Sequence, residues 1–255
     1  MKPAAALLSL LPGGAGVVAF VGAGGKTSAL FRLAGTRMDQ GRRVLITTTT
    51  HLLDPRTEAN RPALNLILRP DMEAPYRSAS LPEAPPGLAV LLSREAEPPG
   101  KMRGLHPSWI PALRAVWDLI LVEADGSKGL PVKAPAAHEP VIPPGSDLVV
   151  GVVGLDCLGR PMDGRTVHRP EHFGLVTGCP MGAPITWDHL EALVRHPEGL
   201  FKQAEGSRAI LFNKADQAQA LPSWAQLATL PADWILLGSL EPAEAELDIR
   251  PGRQP

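Results

Sequence analysis

Residues 17–30 read VVAFVGAGGKTSAL, and the fold turns on how this stretch is understood. The β-branched, apolar run VVAFVG predicts a buried parallel strand. KTSALFRLAGTRMDQG follows at once and predicts a helix that ends at Gly41. Between strand and helix stand Gly22, Ala23, Gly24 and Gly25, and the helix then opens with Lys26, Thr27 and Ser28. Phosphate binding asks for this order of parts. Glycines let backbone N–H groups converge on oxygens, a helix N-terminus faces the anion, a lysine supplies charge and a hydroxyl serves Mg2+. The common spelling G-x-x-x-x-G-K-[ST] would need a glycine where Phe20 stands, so the loop is a shortened cradle, G-x-G-G-K-T.

Working outward, RRVLITTTTH predicts a second strand, and LNLIL and GLAVLLS predict two more within a proline-rich stretch, residues 54–107. HPSWIPALRAV reads as a short helix, WDLILVEADG and SDLVVGVVGLD as strands, and EHFGLVTG and TWDHLEALVRHPEGLFKQ as helices. SRAILFNKAD and DWILLGS are further strands, and the polar tail, about 241–255, is expected to be loose. Strands alternating with helices imply an α/β fold with a mostly parallel sheet, helices on both faces and a P-loop NTPase-like site. No repeat or linker divides residues 1–255, so one domain is expected, with a proline-rich insertion at about 54–107.

Composition narrows the function. A formal charge of −1 over 255 residues gives no field for nucleic acid or an acidic membrane surface. Two cysteines suit a reducing compartment, and a cytoplasmic location is expected. The N-terminal MKPAAALLSLLPGGAG imitates a signal peptide, but cleavage near Ala19 would cut into the apolar strand. A short helix from Pro3 to Leu11, closed by Pro12-Gly13-Gly14, is the better reading. No run reaches the ~18 apolar residues that a membrane helix needs.

Two further strand ends carry chemistry that suits a nucleotide. LILVEADG stops at Glu123 and Asp125, carboxylates able to hold Mg2+ directly or through water. The bend after the strand leaves open which of the two faces the metal. AILFNKAD ends in Asn213, Lys214, Ala215 and Asp216, spelling N-K-x-D. A carboxylate at the fourth position accepts from guanine N1–H and the 2-amino group, which adenine does not present. Asn213 can hold the other edge of the base or the phosphate loop, and the Lys214 stem can cover the ring. GTP is therefore expected ahead of ATP. Gly238-Ser239-Leu240 is a candidate backbone contact over the base.

The compact G-x-x-G-K-T loop resembles those of Mur-type ligases, and Glu123 in an E-x-x-G setting resembles metallochaperone-type P-loop GTPases. VGAGGKTS, VLITTTTH, VEADGSKGLPVKAPAAHEPVIP, HRPEHF, HPEGLFK and LFNKAD, in this order, resemble the YqeC-type family over about residues 15–216. That family comprises accessory proteins of selenium-dependent molybdenum hydroxylases. The resemblance implies a role in maturing or supplying the cofactor of a molybdenum enzyme.

Several residues keep two readings. Thr47, Thr48, Thr49, Thr50 and His51 follow strand two at the carboxyl edge, as ligand contacts or as strand-forming residues and a turn. Lys128 and Lys133 meet an anionic substrate or are solvated, and His138-Glu139 and Arg169-Glu171 bind substrate or brace the sheet. Cys157, His168, His172 and Cys179 invite a zinc site, but Pro170 starts a helix that leaves His168 outside it. The expected activity is Mg2+-dependent nucleotide hydrolysis, with Lys26, Thr27, Glu123 and Asp125 as the catalytic set. Its rivals are an ATP-dependent ligase or kinase and a non-catalytic module that binds a nucleotide or molybdopterin.

Overall fold

A computed structural model describes residues 2–11, 16–57, 64–78, 80–97, 99–241 and 246–253. Nine strands form one sheet, in the order β14-β13-β12-β10-β1-β8-β2-β5-β4. These are β1 (Gly16–Gly22), β2 (Val44–Thr48), β4 (Asn65–Leu68), β5 (Leu88–Leu92), β8 (Leu119–Glu123), β10 (Leu148–Gly154), β12 (Ser207–Asn213), β13 (Trp234–Gly238) and β14 (Leu247–Pro251). All pairings are parallel except that of β13 with β14. Two small sheets stand apart: β3 (His51–Leu53) with β7 (Lys101–Arg103) and β6 (Arg94–Glu95), and β9 (Val132–Lys133) with β11 (Val167–His168).

Alternation along β1 explains why it lies at the centre. Val18 and Phe20 face the core under α1 (Pro3–Leu8) and α2 (Lys26–Met38), packing with Leu7, Leu30 and Leu33. Val17, Ala19 and Val21 face the other side. There the sheet is covered by α3 (Ile110–Leu113), α4 (Pro170–Thr177), α5 (Trp187–Arg195) and α6 (Trp224–Leu227). A strand buried on both faces has no polar positions to spare, which is why VVAFVG is apolar throughout.

Three elements depart from the sequence reading. Thr49 and Thr50 leave the sheet, and His51 starts β3, because the hydroxyls of Thr48 and Thr49 donate to the carbonyls of Glu123 (2.7 Å) and Val141 (2.6 Å). The strands read in LNLIL and GLAVLLS form as β4 and β5 and join the main sheet. Part of the tail expected to be loose forms β14, with Leu247 wholly buried against β13. The helix foreseen over TWDHLEALVRHPEGLFKQ stops at Arg195, since His196 precedes a proline and takes the extended conformation that such a residue favours (ψ 135°). The closing Pro12-Gly13-Gly14 of the N-terminal helix lies outside the described residues.

Parallel strands all end on the same edge, and register brings their ends together. Phe20 and Thr48 both pair with Glu123, Gly22 with Val152, and Gly154 with Asn213. The glycine loop, the threonines, the acidic turn and the N-K-x-D turn therefore meet at one rim.

Candidate functional site

The glycine loop is three residues long between β1 and α2, and close packing imposes its glycines. Gly24 takes φ +93°, and a Cβ there would lie 2.3 Å from the Gly154 amide nitrogen and 2.7 Å from the Pro131 carbonyl oxygen. Gly25 takes φ +127°, and a Cβ would lie 2.3 Å from Asn213 Nδ2. Gly22 gives its N–H to Asp125 Oδ2 at 2.9 Å, and Ala23 gives its own to the Val152 carbonyl at 2.9 Å. Beyond these the pairing stops. Among the hydrogen bonds of the described residues, the amides of Gly24, Gly25, Lys26, Thr27 and Ser28 have no partner, and Gly25 caps α2 without a side chain. Uncapped amides at the positive end of a 13-residue helix are groups that favour an anion.

Lys26 is turned inward. Its ammonium lies 3.0 Å from Asp125 Oδ1 and 2.5 Å from the Gly22 carbonyl oxygen, with side chains of Lys26 and Asp125 each 2 % exposed. Oδ1 is reached by that ammonium as a charge contact, with no well-directed hydrogen bond of its own. Asp125 Oδ2 also meets the Lys133 ammonium at 3.1 Å. Lys133 in turn contacts Glu139 Oε2 at 2.6 Å and the Gly126 carbonyl oxygen at 2.8 Å. Arg169 closes the chain on Glu139 through both terminal nitrogens. Burial works to raise the Glu139 pKa, and the hydrogen bonds from Arg169 and Lys133 overcome it and hold the carboxyl at about 2. A buried alternation of charges thus runs from the glycine loop to the start of α4.

The two carboxylates of the acidic turn are separated by role. The Thr27 hydroxyl donates to Glu123 Oε2 at 2.9 Å beside the start of α2, while Asp125 is spent on Gly22 and the two lysines. Thr27 and Glu123 are hard oxygen donors at the mouth of the loop, chemistry that fits Mg2+. Thr47 is buried and its hydroxyl donates to the Leu91 carbonyl oxygen at 2.6 Å. With Thr48 and Thr49 on the carbonyls of Glu123 and Val141, these hydroxyls brace the rim. His51 lies exposed opposite Arg103 in the small antiparallel sheet, and its pKa is lowered by burial and then by Arg103 and Lys101.

In the N-K-x-D turn each side chain has a partner. Asn213 Nδ2 donates to the Gly24 carbonyl oxygen at 2.7 Å, and Asn213 Oδ1 accepts from the Leu240 amide at 2.8 Å. One buried amide therefore ties the glycine loop to the turn after β13. Lys214, in the left-handed region at φ +62°, pairs with Asp156 at 2.9 Å. Asp216 is exposed and accepts from the Ser239 hydroxyl, while its own N–H reaches the same oxygen at 3.2 Å. Ser239, read from sequence as a backbone contact, acts here through its side chain.

Asp156 is the site residue that sequence reasoning passed over. The signal was present in VVGLD, a strand that ends in glycine and then aspartate as VEADG ends in carboxylates. Lys128 and His138 are exposed, Lys133 is 1 % exposed, and Arg169 is partly covered. Cys157 is buried, its thiol pushed up to about 12 by burial and by Asp156. Among the described residues no group of three or more His, Cys, Asp or Glu side chains is placed to hold a metal ion. No helix among them is long and apolar enough to cross a membrane.

A family model described as YqeC protein matches residues 18–171. A relative in Escherichia coli (strain K12), named Uncharacterized protein YqeC, is 41 % identical over 207 residues, covering 80 % of this chain and 77 % of its own. No solved structure matches.

Proposed function

The chain belongs to the YqeC family, and on that footing we propose that it is a Mg2+-dependent nucleoside triphosphatase that prefers GTP. Its setting, in this proposal, is the maturation or cofactor supply of selenium-dependent molybdenum hydroxylases, in keeping with the family resemblance. One observation carries the chemistry: five consecutive amides, Gly24 to Ser28, lie unpartnered at the N-terminus of α2, where strand ends converge.

In this reading the amides take the phosphate oxygens, and Lys26 leaves Asp125 to meet the terminal phosphates. Asp125 keeps Lys133 and the Gly22 N–H when Lys26 departs, so the exchange strands no buried charge. Thr27 and Glu123 hold Mg2+, which offsets charge on the phosphate oxygens. Asp216, set by Ser239, accepts from the guanine edge, and Asn213 locks the loop that carries the base to the loop that carries the phosphates. No arginine or glutamine among the described residues is identified as positioning the attacking water, so slow intrinsic turnover is expected, with completion by a partner.

The test is a panel of GTP, ATP and xanthosine triphosphate, each with Mg2+, titrated against the wild type and Asp216→Asn. GTP should bind at least tenfold tighter than ATP to the wild type, since the wrong base leaves a desolvated acceptor worth about 1–3 kcal/mol. Asp216→Asn should move the preference to xanthosine triphosphate. Equal affinities that the substitution leaves unchanged would refute guanine selection.

A further inference from the structure

Between the glycine loop and the N-K-x-D turn, one buried carboxylate keeps an oxygen to spare. Asp156 stands just past the end of β10 and is 7 % exposed. Its Oδ2 meets the Lys214 ammonium at 2.9 Å. Its Oδ1 is buried and has no hydrogen-bond partner among the described residues. That oxygen lies on the side of Gly154 against which the glycine loop packs. A Cβ placed on Gly154 would be 2.6 Å from Asp156 Oδ1 and 3.1 Å from the Gly24 Cα. Buried polar oxygens are nearly always paired, so one left open beside a ligand loop calls for an explanation.

The chemistry of the position restricts what Oδ1 can take. A carboxylate oxygen only accepts, so its partner must bring a hydrogen or a positive charge. The Lys214 ammonium already balances the charge from the other oxygen. A metal ion would need further ligands, and among the described residues no group of three or more His, Cys, Asp or Glu gathers there to supply them. A neutral donor, a hydroxyl or an N–H, is what fits.

Strand order says which donor. Along the rim the strands run β12, β10, β1, β8. The first ends in the N-K-x-D turn, the third in the glycine loop and the fourth at Glu123. Register sets Gly154 of β10 opposite Asn213 on one side, and Val152 opposite Gly22 on the other. A nucleotide with its base at β12 and its phosphates at β1 must carry its sugar across the end of β10. Asp156 holds an open acceptor at that crossing, and a ribose brings two hydroxyls to it.

We infer that Asp156 reads the sugar: its Oδ1 accepts a hydrogen bond from a ribose hydroxyl, and the chain selects ribonucleotides over deoxyribonucleotides. The inference rests on the nucleotide reading and adds to it the group that holds the middle of the ligand. Lys214 provides the movement that admits the hydroxyl. Its side chain is 30 % exposed, and Asp156 is its one ion-pair partner among the described residues. As the lysine stem settles over the base, the carboxylate opens toward the sugar. A hydrogen bond to a charged, desolvated oxygen should be worth at least tenfold in affinity.

Calorimetric titration of the full chain with GTP, 2′-deoxy-GTP and 3′-deoxy-GTP, each with Mg2+, tests this. The wild type should bind GTP at least tenfold more tightly than one of the two deoxy forms. Asp156→Ala should bring that ratio to within twofold of unity, and Asp156→Leu, which fills the vacated volume, serves should the alanine variant fail to fold. Lys214 is exposed enough to turn to solvent in both. The ratio separates sugar reading from general damage, because a disturbed loop weakens all three ligands alike. Wild-type affinities that do not distinguish the three nucleotides overturn the inference and leave the nucleotide reading standing. A ratio that survives both substitutions also overturns it, since another group then reads the sugar. Variants that fold but lose every nucleotide equally do the same, by assigning Asp156 to loop integrity. Should ATP bind in place of GTP, its own deoxy forms take over the test, because the ribose is common to both. Should no nucleoside triphosphate bind the wild type, the nucleotide reading fails and this inference with it.

Discussion

Asp125→Asn removes the one carboxylate on which Lys26 and Lys133 both rely. Its side chain is 2 % exposed, and the two ammonium groups lie 3.0 and 3.1 Å from its oxygens. Asparagine can still accept from the Gly22 N–H, so the backbone bond survives and the loss is electrostatic. Lys133 retains Glu139, whereas Lys26 keeps the Gly22 carbonyl oxygen in place of an ion pair with Asp125. Breaking a buried pair from one side costs about 3–5 kcal/mol. For a domain of this size that corresponds to a fall in melting temperature of roughly 10 °C. Lys26→Met should cost about 1–3 kcal/mol, because Asp125 keeps Lys133 and the Gly22 N–H. In the double variant no unpaired cation remains beside the asparagine. The two changes should therefore be less than additive by about 2 kcal/mol, within the range of contacting residues. Urea unfolding of the four proteins measures this directly. Strict additivity, or an Asp125→Asn protein within about 1 kcal/mol of wild type, would refute the claim that Asp125 holds both lysines.

Gly24→Ala forces a left-handed alanine against the Gly154 backbone, which cannot yield, and should cost about 3 kcal/mol or more by urea unfolding. Gly35→Ala, in the interior of α2 with nothing within 4 Å, should instead be neutral or stabilise by up to about 1 kcal/mol. Asn213→Ala orphans the Gly24 carbonyl and the Leu240 amide, so stability should fall by about 2–3 kcal/mol and GTP affinity at least tenfold, read by unfolding and titration. His168 is held neutral, with a folded pKa of about 4 below the unfolded 6.5. Between those values the unfolded chain binds the extra proton, so the contribution of His168 to stability is full above pH 6.5 and is lost as pH falls toward 4. His168→Gln should flatten that part of a stability–pH curve. Glu139, at about 2 in the fold against 4.5, should add a second loss between pH 4.5 and 2.

The sheet was legible because its strands are apolar on both faces and end in glycines and polar residues, as in VVAFVG and LILVEADG. Five motif-bearing strand ends could be placed on one rim because parallel strands share a direction. The edges were harder. Leu247 and Ile249 are the apolar residues of β14 in an otherwise polar stretch, too short an alternation to mark a strand without β13 beside it. In the proline-rich stretch 54–107, LNLIL and GLAVLLS still read as strands because each is a short apolar run, and they form β4 and β5. Within the site, sequence gave the residue types but not their division of labour. Glu123 and Asp125 are two apart, and the chain leaves β8 after Glu123 and bends at Asp125, so that one faces Thr27 and the other Lys26. Asp156 was marked only by the glycine-then-aspartate end of VVGLD, and its partner Lys214 comes from 58 residues away.

The most direct trial of the account is amide NMR of residues 24–28 with and without a non-hydrolysable GTP analogue and Mg2+. If phosphate oxygens fill the cradle, the resonances of Gly24, Gly25, Lys26, Thr27 and Ser28 shift together and their hydrogen exchange slows at least tenfold. If the analogue binds while those five amides keep their shifts and exchange rates, or if it does not bind at all, the cradle is not a phosphate site.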